Sequence, residues 1–247
     1  MYEDLTPDLI DRIKHEFKVI LSHHADIQAI DRKVRRGIAT QADISKYANF
    51  VGQAGSAAMK QVLKLDTLPD ATMYEEIAEQ TITPVMEEMY GYVNTEAALQ
   101  LRSTDRKAGM NIGIRKGTEP SRRIKAVVDM ASGQTTQEAL DNALTDPVIA
   151  TARKFYDDFQ RENADLRDSL GFEEVVIRKY DDRGLHGGKD RCQWCLDREG
   201  TWSLLEAHIN GVFERHPGCG CLIEVITPDK PQVQTDWTHN VWTDIPR

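Results

Sequence analysis

Leu9, Ile10, Ile13, Phe17, Ile20 and Leu21 recur at the three- and four-residue intervals that place side chains on one face of a helix. Thr6 followed by Pro7 reads as an N-cap with proline at the first helical position. A second start is predicted at Thr40, with Asp43 three residues on in the manner of a capping box. From it runs the stripe Ile44, Tyr47, Val51, Ala54, Ala58 and Val62. Gly52, Ala54, Gly55, Ala57 and Ala58 are small enough to let another helix approach closely. Tyr74 to Ile82 is helical in pattern, and Pro84 is expected to break or kink it. Val85, Met86, Met89, Tyr90 and Val93 restart the stripe towards Leu99, with the methionines as core filler. A short helix is expected from Ser121 to Met130. Another opens at Asp146-Pro147, carries Val148, Ala152, Phe155, Phe159 and Leu166 on one side, and ends near Gly171.

Beyond Gly171 the period changes. Val175-Val176-Ile177 and Leu222-Ile223-Glu224-Val225-Ile226 are short, β-branched and bounded by turn residues, so they read as strands. The expected class is α+β: a helical body over 1–171, a small zinc-stapled α+β module over 172–228, and an irregular tail over 229–247. Trp237 and Trp242 in that tail are expected to pack on this chain or a neighbour.

Hydrophobic residues make up 40% of the 247-residue chain and charged residues 29%, which is ordinary globular usage. No apolar run is long enough to span a bilayer, and Met1-Tyr2-Glu3-Asp4-Leu5 lacks the basic start of a secretory signal. A soluble protein without membrane contact is therefore expected. The formal net charge of -9 has the wrong sign for a surface that lies wholly on nucleic acid. Residues 102–125 depart from it: eight bases against Asp105 and Glu119 give +6 there and leave -15 on the rest. Gly109, Gly113 and Gly117 suggest a flexible loop in that stretch. Arg115, Lys116, Arg122 and Arg123 are its candidate contacts to phosphate or an acidic partner. His23-His24 reads as an exposed helical pair.

The chemistry gathers in the last quarter. Cys192-Gln193-Trp194-Cys195 is followed, after twenty residues, by His216-Pro217-Gly218-Cys219-Gly220-Cys221. Two cysteines separated by two residues can place both sulfurs on one ion, and a pair from a second loop completes a tetrahedron. Thiolate sulfur selects zinc over magnesium or calcium. Residues 190–226 are thus expected to fold around one structural zinc ion. Cys192, Cys195, His216, Cys219 and Cys221 compete for four places: all four cysteines, or His216 with three of them. A redox Cys-x-x-Cys would leave the second pair unexplained, and an iron–sulfur centre on the same thiols is the less simple case. His208, Asn210 and His216 invite comparison with His-Asn-His nucleases, but they lie within nine positions, too few for the two strands and helix that such a site occupies.

The run Val175–Tyr180, Cys192-x-x-Cys195, Asp197-Arg198-Glu199-Gly200-Thr201-Trp202 and the closing His216-Pro217-Gly218-Cys219-Gly220-Cys221 resembles the minor head proteins of tailed bacteriophages. This is the Mu F-like, or head-morphogenesis, family. Gly218 and Gly220 stand where that family has asparagine and arginine; Gly218 tolerates the same positive-φ turn. The resemblance covers about residues 171–226. It implies a low-copy, non-enzymatic component of the virion, bound to the portal or the inner shell of the major capsid protein. Its role would be head assembly, and the resemblance leaves open that it enters the cell with the DNA. The stretch 102–125 would then touch portal, scaffold or packaged DNA. Two alternatives remain: a metal-dependent nuclease using His208 or His216, and a DNA-binding zinc module.

Overall fold

The computed structural model describes residues 5–118, 120–180, 192–216 and 218–228. The tail and its tryptophans lie outside them. Helix α1 (Thr6–His23) buries Leu9, Ile13, Phe17 and Leu21, the stripe read from the sequence. Its N-cap is Leu5, so Thr6 is the first helical residue rather than the cap. Helix α2 (Ala25–Arg35) starts directly after it, and His24 caps α2 by accepting the Ile27 amide at 3.5 Å. The histidine pair therefore marks the junction between two helices and does not sit within one.

Helix α3 (Gln41–Val62) starts with a complete capping box. The Asp43 amide donates to Thr40 Oγ1 at 3.2 Å and the Thr40 amide donates to Asp43 Oδ2 at 2.9 Å. All six residues of its expected stripe are buried. A Cβ on Gly52 would lie 2.8 Å from the Ile149 Cα, and one on Gly55 would lie 2.4 Å from the Met89 sulfur. These glycines let two other helices, α7 and α4, pack against α3 at close range. Helix α4 (Glu75–Lys107) runs through Pro84 without ending there. Proline removes one backbone donor, but Ala78, Ile82, Val85, Met86, Met89 and Val93 are all fully buried on both sides of it. Side chains of this kind contribute about 1.5–3 kcal/mol each when fully buried, which outweighs the lost bond.

The basic stretch is not one loop. Its start belongs to α4 and its end to α5 (Ser121–Ala131). The connection between them is pinned to the body rather than free. The Arg115 amide donates to Asn163 Oδ1 at 3.0 Å, Asn163 Nδ2 donates to the Arg115 carbonyl at 2.8 Å, and the Gly117 amide donates to Asn94 Oδ1 at 2.8 Å. Helix α6 (Gln137–Ala143) follows, then α7 (Asp146–Ser169). Gly171, at φ +89°, ends α7 in a Schellman arrangement: its amide bonds to the Asp168 carbonyl at 2.9 Å and the Phe172 amide to the Arg167 carbonyl at 3.1 Å.

Three strands follow among the described residues: β1 (Val175–Lys179), β2 (Gly200–Ser203) and β3 (Leu222–Ile226). They form an antiparallel sheet in the order β2-β1-β3. Short helices α8 (Gln193–Leu196) and α9 (Leu204–Ile209) flank β2. The alternation of a strand sends Val176, Ile223 and Val225 inward, where they meet Leu204, Ala207, Val212, Phe213 and Ala164 of α7. The outer edge of β3 is closed by a side chain from α3. The Val225 amide donates to Gln41 Oε1 at 2.8 Å, Gln41 Nε2 donates to the Val225 carbonyl, and Gln160 Nε2 holds Gln41 Oε1 at 2.7 Å. The protein is α+β, with a helical body and a small sheet seated on α7.

Candidate metal centre

Cys192 opens α8, and that helix's first turn bonds the Cys195 amide to the Cys192 carbonyl at 3.0 Å. One turn of chain thus brings both sulfurs to one side. The second loop turns tightly as well. The Cys219 amide donates to the His216 carbonyl at 3.1 Å, and Gly218 takes φ +77°, the conformation expected of it. From there β3 begins, and Cys221 shares the inner face of Ile223 and Val225.

The two loops meet. His216 Nε2 lies 3.2 Å from Cys192 Sγ and 3.1 Å from Cys195 Sγ, and Cys195 Sγ lies 3.7 Å from Cys219 Sγ. The candidate ligands fall into two overlapping groups joined at Cys195: Cys192, Cys195 and His216, and Cys195, Cys219 and Cys221. No pair is disulfide-bonded. Cys195, Cys219 and Cys221 are buried and Cys192 is half-buried. Four thiols and an imidazole gathered in this way could hold a metal ion, and sulfur donors favour a soft or borderline one.

Three guanidinium groups surround the sulfurs. Arg178, on the inner face of β1 and 1% exposed, directs Nη2 at Cys195 Sγ (3.7 Å) and Cys219 Sγ (3.5 Å). Its Nη1 donates to the Val212 and Glu214 carbonyls at 2.5 and 2.8 Å. Arg215 reaches Cys219 Sγ at 3.8 Å and the Cys221 carbonyl at 2.7 Å, and it forms a two-pronged pair with Asp157 of α7. Arg153, also on α7, donates to the carbonyls of Cys219, Gly220 and Cys221. Half-buried Trp194 packs beside the site, with Arg198 3.9 Å and Arg178 5.0 Å from its ring centroid and the His216 ring edge-on at 5.4 Å.

This surrounding field separates the thiols. Cys219 falls to about 4, because it accepts a hydrogen bond from Cys221 and faces Arg215 and Arg178, which together outweigh its burial. Cys195 is pushed up to about 11 by burial and by the neighbouring Cys219. Cys221 is raised by its hydrogen bond to Cys219 and by burial. A metal ion is the group that would let all of them ionise together.

The other predicted residues lie elsewhere. His208 Nε2 pairs with Asp165 Oδ1 at 2.7 Å on the surface, and Asn210 Nδ2 bonds back to the Glu206 carbonyl at 2.9 Å. His208 and His216 therefore keep separate partners. Arg123 is drawn into ion pairs with Asp158 at 3.4 Å and Glu214 at 3.6 Å, so it braces the sheet module rather than facing outward. Arg115, Lys116 and Arg122 are exposed. Sequence reasoning missed Arg153, Arg178, Arg215 and Asp157. The alternation of β1 carried a signal for Arg178, since it stands two residues from Val176 and so shares its face. The α7 pair carried none. Comparison with protein families, with curated proteins and with solved structures gave no match.

Proposed function

We propose that the chain is a non-enzymatic minor head protein of a tailed bacteriophage, with its C-terminal module held together by one structural zinc ion. The observation that carries this reading is the meeting of Cys192, Cys195, His216, Cys219 and Cys221, drawn from two loops, in a largely buried cluster beside a three-stranded sheet. Those loops bear the spacing that resembles the head-morphogenesis family. Five candidate donors for four places favour a closed centre over one that keeps a position for water, as catalytic zinc requires. Three short strands and two short helices bury little apolar surface of their own. Zinc ligation supplies apparent folding free energy of about 10–16 kcal/mol at pH 7 in small zinc modules.

On this reading the protein acts through contacts with the portal or the major capsid protein inside the virion. The exposed bases Arg115, Lys116 and Arg122 face packaged DNA or an acidic partner. Two measurements test it. Protein purified under reducing conditions without chelator should contain one zinc per chain, and stripping the zinc should release the sheet from amide protection while α1, α3 and α4 keep theirs. Particles purified after expression of the gene within its phage genome should contain the protein in mature heads. Metal-free folded protein would remove the zinc, and heads lacking the chain would remove the virion role.

A further inference from the structure

The surroundings of the sulfurs bear on which donors an ion would take, a question the spacing of the residues leaves open. In a tetrahedral zinc centre, Zn–S bonds of about 2.3 Å put two sulfurs about 3.8 Å apart, and a Zn–N bond of about 2.0–2.1 Å puts nitrogen about 3.5–3.6 Å from each sulfur. Cys195 and Cys219 stand at 3.7 Å, the spacing of two ligands on one ion. His216 Nε2 stands at 3.2 and 3.1 Å from Cys192 and Cys195, inside the spacing of co-ligands and in the range of a hydrogen bond to sulfur.

Charge points the same way. Arg153, Arg178 and the Arg215 side chain are buried around the sulfurs, and Asp157 is the buried carboxylate that answers them. Arg153 and Arg178 have no carboxylate within ion-pair distance among the described residues, and the Nε of each is buried without a hydrogen-bond partner. Lys154 and Arg123 are set against Asp158 and Glu214, and Arg198, stacked on Trp194, adds a further positive charge at the edge of the site. Among the described residues, three buried guanidinium groups against one carboxylate leave an excess of at least two positive charges. A zinc ion with four thiolates carries a net charge of minus two, whereas three thiolates and a neutral imidazole carry minus one. The first offsets more of the positive charge around the sulfurs, and an unbalanced buried charge is strongly disfavoured.

We infer that the ion takes all four cysteines as thiolates, and that His216 stays outside its coordination, with its Nε2 within hydrogen-bond reach of the Cys192 and Cys195 sulfurs. This rests on the zinc reading and fixes its ligand set. Closing the tetrahedron asks one movement. Cys192, which is half-buried and outside the Cys195–Cys219–Cys221 group, turns its sulfur toward the other three. His216 stays beside that sulfur, with the Trp194 ring edge-on to the imidazole at 5.4 Å.

X-ray absorption at the zinc edge of the full-length protein decides the question. A shell of four sulfurs is expected; three sulfurs and one nitrogen would overturn the inference while leaving the zinc centre intact. Absence of zinc from the folded protein would instead remove the centre itself, and this inference with it. The H216Q variant should keep one zinc and a four-sulfur shell, with affinity lowered by about 10–100-fold, as expected on losing a hydrogen bond to a ligand. The C221S variant should lose more than that. Loss of zinc from H216Q together with its retention by C221S would reverse the assignment, and the wild-type spectrum stands even where C221S fails to fold.

Discussion

Replacing Asp157 by asparagine keeps the shape of α7 and removes one charge. Asp157 is 0% exposed and the side chain of its partner Arg215 is 2% exposed, so water cannot take over the carboxylate's role. Asparagine retains one acceptor for the two guanidinium donors that now reach Oδ1 and Oδ2. The buried positive excess beside the sulfurs rises by one charge. Breaking a buried pair by removing one partner costs about 3–5 kcal/mol. For a chain of this length each kcal/mol moves Tm by about 2–4 °C, so D157N should lower Tm by about 6–20 °C. The pair Lys179–Glu224 serves as control. It is close, at 2.5 Å, but Lys179 is 58% exposed, and E224Q should cost less than about 1 kcal/mol. Thermal unfolding followed by circular dichroism gives both values, and amide exchange should show the D157N loss concentrated in β1 and β3. A D157N penalty within about 1 kcal/mol of the E224Q penalty would refute the claim that this pair seats the sheet on α7.

Three further outcomes are expected. T40A removes the hydroxyl that accepts the Asp43 amide and should cost about 1 kcal/mol in urea unfolding; no change would mean that α3 is set by its packing alone. G52A places a methyl group 2.8 Å from the Ile149 Cα and should cost about 1–3 kcal/mol by forcing α3 and α7 apart; wild-type stability would show that the helices can separate freely. Glu96 is raised to about 7 by burial and by Asp31, against Arg35. Between its ordinary value and about 7 the folded state holds the proton and the unfolded state does not, so stability falls as pH rises through that window. E96Q should flatten that fall in urea midpoints measured from pH 4 to 8, and an unchanged slope would refute it.

The helical body was legible because its stripes are long and its signals are local. Thr40 with Asp43 and the run from Ile44 to Val62 each need only neighbouring residues to be read. Pro84 misled because the rule for proline concerns one backbone bond, while the outcome rests on six apolar side chains that only the packed bundle brings together. The loop reading of 102–125 held around Gly109, Gly113 and Gly117 but not at the ends, which belong to α4 and α5, and its flexibility was overridden by distant residues. Asn94 and Asn163, distant in sequence, supply the hydrogen bonds that pin the strap. Helices α6, α8 and α9 are too short to show a period. The candidate metal ligands were legible as a set because two tight turns impose fixed spacing. Their surroundings were not: Arg153, Lys154, Asp157 and Asp158 on α7 have the composition of a solvent face, yet all four are buried.

That buried polar face explains how the two parts of the chain are joined. The helical body and the sheet have separate apolar clusters, and α7 contributes to both, with Phe155 and Phe159 in the first and Ala164 in the second. Between the clusters runs a layer of charge: Arg153 on the carbonyls of the second cysteine loop, Asp157 on Arg215, Lys154 and Asp158 with Glu214 and Arg123. An apolar interface of the same size would be as stable or more so, since desolvating paired charges returns little net energy. What the charged layer adds is position. The guanidinium groups fit this arrangement of carbonyls and sulfurs, and a slip of β3 by one residue would put Cys221 on the outer face and take from Arg153 and Arg215 the cysteine-loop carbonyls they hold. Contacts with α7 thus set the register of the loop that carries Cys219 and Cys221, and an ion bound there would fasten the sheet to the helical body as well as to itself.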